Sequence, residues 1–267
     1  MNVSAQKHEF SFDIGGGMST IRFQGMLDYA NRNKWLSIDY SNGSGIGDFG
    51  LGYTYLFNKN IGIHTGVGFG YYTGKATLDG IYGIYALDML TWKEIWYMEI
   101  LYQKYTEKIE TLFINIPIMV QFQKQRIRGI YYVMSGVKIG VPFWNDYSST
   151  PNSLIIYSSL YPDNNNSVTL NEVKDKNFDG IIDFGLSYMF ALDAGMKWKI
   201  NDMFSLYTGV YFDLGLNNII KNKYLPFYDY DVKENPSNLN INGFMLSLFT
   251  EKDVNTLALG VKLRLGF

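Results

Sequence analysis

Leu257, Leu259, Val261, Leu263, Leu265 and Phe267 occupy every second position of the last eleven residues, and Ala258, Gly260, Lys262, Arg264 and Gly266 fill the places between them. Successive side chains of a β-strand point to opposite faces. This stretch therefore predicts a strand with one wholly apolar face and one small or cationic face. A strand of that kind needs neighbours, and the rest of the chain has to supply them.

Period-two alternation recurs in seven further segments. Near 8–16, Phe10, Phe12 and Ile14 oppose Glu9, Ser11 and Asp13; near 46–57, Phe49, Leu51, Tyr53, Tyr55 and Phe57 oppose Asp48, Gly50, Gly52 and Thr54. From Ile61 to about Tyr72, an apolar set faces Gly62, His64, Gly66, Gly68 and Gly70. Segments near 109–122 and 130–142 follow, the first containing Pro117 and the second carrying Met134, Gly136, Lys138 and Gly140 on its small face. The sixth and seventh, near 182–199 and 203–216, place Asp193 and Lys197, then Tyr207, Tyr211 and Asp213, opposite their apolar sides. Pro117 has no N–H to give to a ladder, so its strand must tolerate a missing donor.

Short connections follow the second, fourth and sixth segments, and long ones (roughly 17–45, 73–108, 143–181 and 217–254) follow the others. An even strand number with alternating short and long connections is the pattern of a transmembrane barrel. A soluble up-and-down barrel shares the order but turns its apolar faces inward. Eight strands leave room only for packed side chains, so the Gly-rich faces belong inside. The expected fold is all-β: an eight-stranded antiparallel up-and-down transmembrane β-barrel with long extracellular loops and both termini in the periplasm.

Composition agrees. Aromatics make up 17% of 267 residues, with 27 Gly and a mean hydropathy of -0.08, as expected when lipid-facing and lumen-facing residues alternate. No span of about 20 apolar residues exists for a transmembrane helix. A net charge of -2 argues against nucleic acid as a partner. With no Cys, disulfide scaffolds, Cys-ligated metals and thiol nucleophiles are excluded. Val3-Ser4-Ala5 has the small-residue form of a signal-peptidase site, so residues 1–5 read as a signal-peptide remnant or an added tail and 6–267 as a single barrel domain.

The order of strands, the runs Phe49-Gly-Leu-Gly-Tyr-Thr-Tyr and Gly66-Val-Gly-Phe-Gly-Tyr-Tyr, the Asn115-Ile-Pro-Ile segment and Phe267 resemble the eight-stranded OmpA-like barrels of the Bacteroidetes, the group that includes PorT-like proteins. The likeness covers essentially the whole chain. It implies an outer-membrane location in a Gram-negative bacterium, and an assembly signal at Gly260, Leu263, Leu265 and Phe267. Architecture follows from it far more than activity.

With apolar faces toward lipid, the lumen acquires Glu9, Asp13, Asp48, Asp193 and Asp213 as acids and Lys138, Lys197, Lys262 and Arg264 as bases, with His64 nearby. A charge facing mid-bilayer lipid costs about 2–4 kcal/mol, which drives these groups inward. A nearly balanced set in a narrow barrel predicts cross-lumen salt bridges, with Arg264 to Asp213 the preferred pair, and little conductance. His64 as a catalytic base would need a rim position beside a nucleophile. An inward His among glycines reads as structural.

In the loops, Asp175, Asn177, Asp179 and Asp183 with Gly180 follow the spacing of a calcium loop, although Leu186 stands where a bidentate Glu is expected. The alternative is an Asp/Asn/Gly turn entering a strand. Calcium is thus a possible ligand, and no cofactor is required. Loop 73–108 contains Trp92, Trp96, Tyr97, Tyr102 and Tyr105, and loop 217–254 contains Tyr224-Leu-Pro-Phe-Tyr-Asp-Tyr230. Either the flanking strands extend beyond the membrane and bury these rings, or the loops contact an envelope or surface protein. The leading functional expectation is a non-enzymatic barrel, structural or surface-binding, with outer-membrane lipid as its surroundings. Alternatives are a subunit of a secretion or surface machine, a lipid-modifying enzyme, and a transporter of small apolar molecules through a lateral gap, for which Pro117 is the hint.

Overall fold

The computed structural model describes residues 8–23, 36–87, 95–127, 129–150, 152–161, 168–174, 177–201, 203–221, 228–229, 240–241 and 253–267. Every regular element among them is a strand: β1 (His8–Phe23), β2 (Leu36–Leu56), β3 (Ile61–Leu87), β4 (Ile95–Arg126), β5 (Gly129–Thr150), β6 (Ser153–Tyr161), β7 (Val168–Lys174), β8 (Phe178–Ile181), β9 (Ser187–Lys199), β10 (Ser205–Gly215), β11 (Tyr228–Asp229), β12 (Asn240–Ile241) and β13 (Val254–Gly266).

Eight strands close a ring in chain order, β1-β2-β3-β4-β5-β9-β10-β13 and back to β1, every pairing antiparallel. At the seam Phe10 and Phe267 exchange backbone N–H···O bonds of 2.8 and 2.9 Å, and their rings stack at 6.3 Å. The chain is an eight-stranded antiparallel up-and-down β-barrel, closed so that the ring itself has no edge to protect.

Polarity is inverted relative to a water-soluble barrel. Leu51 on β2, Val67 on β3, Ile118 on β4, Val210 on β10 and Val261 on β13 are each more than half exposed, while Asp13, Lys138, Asp193, Asp213, Lys262 and Arg264 are buried. The apolar outer belt spans Ile61 to Tyr71 on β3 and Leu259 to Phe267 on β13. Those lengths match the 9–11 tilted residues that cross a hydrocarbon core.

Above the belt the alternation persists and its sign flips. On β3, Tyr72, Ala76 and Leu78 are buried while Lys75 and Asp79 are exposed. On β4, Tyr102, Tyr105, Ile109 and Phe113 are buried while Lys104 and Lys108 are exposed. Strands emerging from lipid into water must do this, because the outside becomes aqueous and the inside becomes the place to hide apolar groups.

That flip corrects several expected boundaries. β1 continues to Phe23 and β2 begins at Leu36, so much of 17–45 is strand. β3 and β4 run to Leu87 and from Ile95, turning most of 73–108 into a hairpin. Most of 143–181 is likewise β-structure: β6 continues β5 along the same β4, and β7 and β8 pair with β6 and β5. The sixth ring strand begins at Ser187 rather than 182, since Phe184 instead bridges to Ile220. Among the described residues β10 stops at Gly215 and β13 starts at Val254.

One level interrupts all the extended strands together. The β3–β4 register shifts between Leu78 and Gly80, Gly80 and Lys104 take positive φ of 131° and 47°, β5 ends at Thr150 with β6 starting at Ser153, and β7 ends at Lys174 with β8 starting at Phe178. Beyond this line β7, β6, β4 and β3 pair in that order as a four-stranded sheet.

Candidate functional site

Alternation within β1, β2, β5, β9, β10 and β13 delivers one or two charged side chains from each strand to the lumen. Arg264 and Asp13 are direct cross-strand partners on β13 and β1, joined by a charge-assisted hydrogen bond from Nε to Oδ1. Arg264 Nη2 also reaches Asp193 Oδ2 at 3.5 Å, and Lys262 Nζ lies 3.2 Å from that oxygen. Lys262 then contacts Asp48 at 3.1 Å, Asp48 contacts Lys138 at 3.6 Å, and Lys138 binds Asp213 at 2.5 Å. The result is an unbroken chain of alternating charge, Asp13–Arg264–Asp193–Lys262–Asp48–Lys138–Asp213, running through the lumen.

A second unit lies nearer the short turns. Glu9 accepts hydrogen bonds from Lys197 and from the Tyr207 hydroxyl. The Tyr207 ring sits between two cations, with Lys197 Nζ at 4.8 Å and the Arg264 guanidinium carbon at 5.4 Å from its centroid, so it ties this unit to the longer chain. Above the network an aromatic layer enters the lumen: Tyr72 packs edge-on against Phe113 at 5.7 Å, and Phe113 stacks on Phe184 at 6.5 Å.

All ten charged or titratable residues expected in the lumen are there, but the preferred pairing is corrected. In the β10–β13 register Arg264 faces Tyr207 while Asp213 faces Ala258. Six residues at ~3.3 Å each separate the two levels, so Asp213 takes Lys138 on β5, two strands away, instead. His64 is 2% exposed and its Nδ1 lies 2.9 Å from Thr54 Oγ1. A Cβ on Gly52 would stand 2.5 Å from its ring, so glycine there makes room for the imidazole.

Tyr207, Tyr211, Asn115 and Thr54 belong to this interior as well. Their signal in the sequence is parity: Tyr207 and Tyr211 fall on the same alternating set as Asp213. Ser11 Oγ, Asn115 Oδ1, Gln121 Oε1, Tyr211 OH and Asp213 Oδ1 are buried without a protein partner. A cavity of about 30 Å³ lined by Asp13, Asp48, His64, Asn115, Lys262 and Arg264 has room for a water or two beside Asn115.

That cavity reaches the wall at Leu51, Val67 and Pro117, where the β3–β4 ladder is incomplete. Pairing runs through Thr65↔Ile118 and resumes at Gly68↔Asn115. Pro117 cannot donate to the Gly66 carbonyl, so the two intervening positions drop out. On its other side Pro117 pairs normally with Lys138. The proline thus occupies a central strand at the cost of one wall hydrogen bond.

The remaining expected sites divide. Gly260 brings β13 close against β1, since a Cβ there would stand 2.2 Å from Gly16 O; Leu263, Leu265 and Phe267 face outward. Of the calcium-loop residues, Asp175 lies outside the described residues. Asp179 is in β8, paired with Ser148, and Asn177 and Asp183 lie on either side of that strand. Asp183 forms an exposed ion pair of 2.9 Å with Lys221. Among the described residues no three His, Cys, Asp or Glu side chains converge as a metal site. Trp92 and Tyr224–Phe227 also lie outside the described residues, whereas Tyr102 and Tyr105 are buried edge-to-face at 5.6 Å.

No protein-family model matches the chain, and no curated protein matches it. Among solved structures it is similar to Ail, the attachment invasion locus protein of Yersinia pestis, in complex with the heparin analogue sucrose octasulfate (11% identity, TM-score 0.31, 98% of this chain and 100% of that one). It is also similar to the outer membrane protease OmpT from Escherichia coli (11% identity, TM-score 0.32, 100% and 98%). Likenesses this distant carry no functional argument, and the barrel rests on the pairings described above. The finer resemblance to Bacteroidetes OmpA-like and PorT-like proteins finds no support in these comparisons.

Proposed function

We propose that the protein is an integral outer-membrane barrel of a Gram-negative bacterium, non-enzymatic, with a closed lumen and with its working surface on the long-connection side. Both termini and the short turns lie in the periplasm, and the four-stranded sheet projects outward as a structural or surface-binding element. The observation that carries this reading is the alternating charge chain beneath the Tyr72–Phe113–Phe184 layer. All four of its carboxylates, Asp13, Asp48, Asp193 and Asp213, each bind at least one cation from another strand, an arrangement suited to bracing the ring rather than to passing solute. His64 supports the non-enzymatic reading, because its partner is the buried Thr54 hydroxyl and not a rim nucleophile.

Planar-bilayer recording tests it. The purified barrel should insert without producing discrete conductance steps at about 100 mV; steady single-channel currents would sink the closed-lumen reading. A second reading, membership in an envelope machine, is favoured by the four-stranded sheet, whose pairing continues past the last described β2–β3 pair, Leu36↔Gly80. Crosslinking in native membranes followed by mass spectrometry distinguishes it, since a stoichiometric protein partner supports the machine and lipid alone supports the independent barrel.

A further inference from the structure

The short-turn end of the barrel concentrates positive charge. The turn sequences 57–61, 123–129 and 199–204 carry Lys59, Lys124, Arg126, Arg128 and Lys199 against one acid, Asp202. Lys59, Lys124, Arg126 and Lys199 are exposed. Glu9, the lumen acid closest to this end, is already engaged by Lys197 and Tyr207. With the lumen's five acids and four bases and these turns' one acid and five bases set aside, the chain retains 19 acids against 14 bases. The basic rim therefore contrasts with an otherwise acidic protein.

Apolar side chains stand among these cations. Ile127 is fully exposed, and Ile200 and Met203 are 62% and 67% exposed. Behind them runs the lowest ring of the outer belt, including Phe57, Phe122, Trp198, Phe204 and Phe267, all exposed. Water would penalise tips of this kind. A bilayer interface accommodates them, with apolar groups at the acyl boundary and Lys or Arg at the phosphate level.

We propose that this rim is a binding surface for anionic phospholipid headgroups of the periplasmic leaflet, of the phosphatidylglycerol class. The inference rests on the membrane reading above and adds a lipid preference to it. Lysine and arginine near a membrane surface attract anionic lipid strongly enough for several together to enrich it, and the attraction falls within a Debye length.

The test uses the full chain refolded into vesicles of phosphatidylcholine alone or with about one quarter phosphatidylglycerol. Spin-labelled lipids report which headgroup contacts the barrel. Wild-type protein should favour labelled phosphatidylglycerol roughly two- to fivefold at low salt and lose the preference near 0.5 M salt. The combined variant Lys59→Gln, Lys124→Gln, Arg126→Gln, Lys199→Gln should insert equally well, since these side chains are exposed, and show no preference. Equal contact with both lipids, or a preference the variant retains, would overturn the proposal. Protease protection reports insertion separately. Failure to insert into either vesicle would overturn the membrane reading itself and this inference with it.

Discussion

At the scale of single residues, position in the charge chain decides what each group is worth. Asp193 holds both Lys262 and Arg264, so Asp193→Ala leaves two buried cations short of a partner. Breaking a buried pair from one side costs about 3–5 kcal/mol, and denaturant titration in detergent should show a loss of that order. Asp213 ends the chain, and its partner Lys138 keeps Asp48 at 3.6 Å. Asp213→Ala should therefore cost clearly less, and equal losses would contradict the connectivity described. Outside the belt, Glu110 accepts from the Tyr71 hydroxyl and lies 2.9 Å from Lys108. Partial burial pushes its carboxyl up, but these two donors outweigh it and hold the carboxyl below its ordinary 4.5. A depressed carboxyl contributes stability above pH 4.5 that is lost as the pH falls through the folded-state value. The stability difference between wild type and Glu110→Gln should thus be present at about pH 6 and vanish toward pH 3, as read from unfolding midpoints at each pH.

Among elements, β4 is the informative one. It is the longest strand, it pairs with β3, β5 and β6, and it contains both the wall proline and the positive-φ Lys104. Pro117→Ala gives the Gly66 carbonyl its donor back. The expected gain is modest, about 0.5–1.5 kcal/mol, offset in part by the freedom returned to the unfolded chain. A raised unfolding midpoint with slower amide exchange at 66–68 would confirm that the gap is a missing donor. Unchanged exchange there would show that the seam is satisfied some other way. Pro117 was visible in the sequence as an interruption, yet the side of the strand it weakens was not. Only the pairing shows that its nitrogen faces β3, because the ladder to β5 is complete.

For the whole molecule, the ring and the projecting sheet are separable. The ring pairings do not involve β6 or β7, so replacing 153–174 by a short turn should leave a barrel that still inserts and still shifts on unheated gels. Loss of insertion would mean that the outer sheet helps the ring to close. The sequence understated that sheet for a physical reason. Between the belt and that sheet β3 alternates as regularly as it does in lipid, but Tyr72, Ala76 and Leu78 point inward where Val67 and Phe69 point outward. A search for one continuous apolar face ends at the water boundary, although the strand does not. The aromatic layer of the lumen was legible only in part, since Phe113 falls on the inner set of its segment whereas Phe184 falls on the apolar one and looks lipid-facing until its surroundings are known.

Alternation within the sequence determined which side chains share a face, how many strands close the ring and which charges must lie inside, because a side-chain period of two is local and a charge cannot face lipid cheaply. It could not determine which charge meets which. Alternation fixes parity only, and a strand slid by two residues keeps its parity while moving every side chain by one level of the barrel. The tertiary structure chose the register, and with it gave Arg264 to Asp13 and Asp193, gave Asp213 to Lys138, and set the height at which lipid ends and water begins.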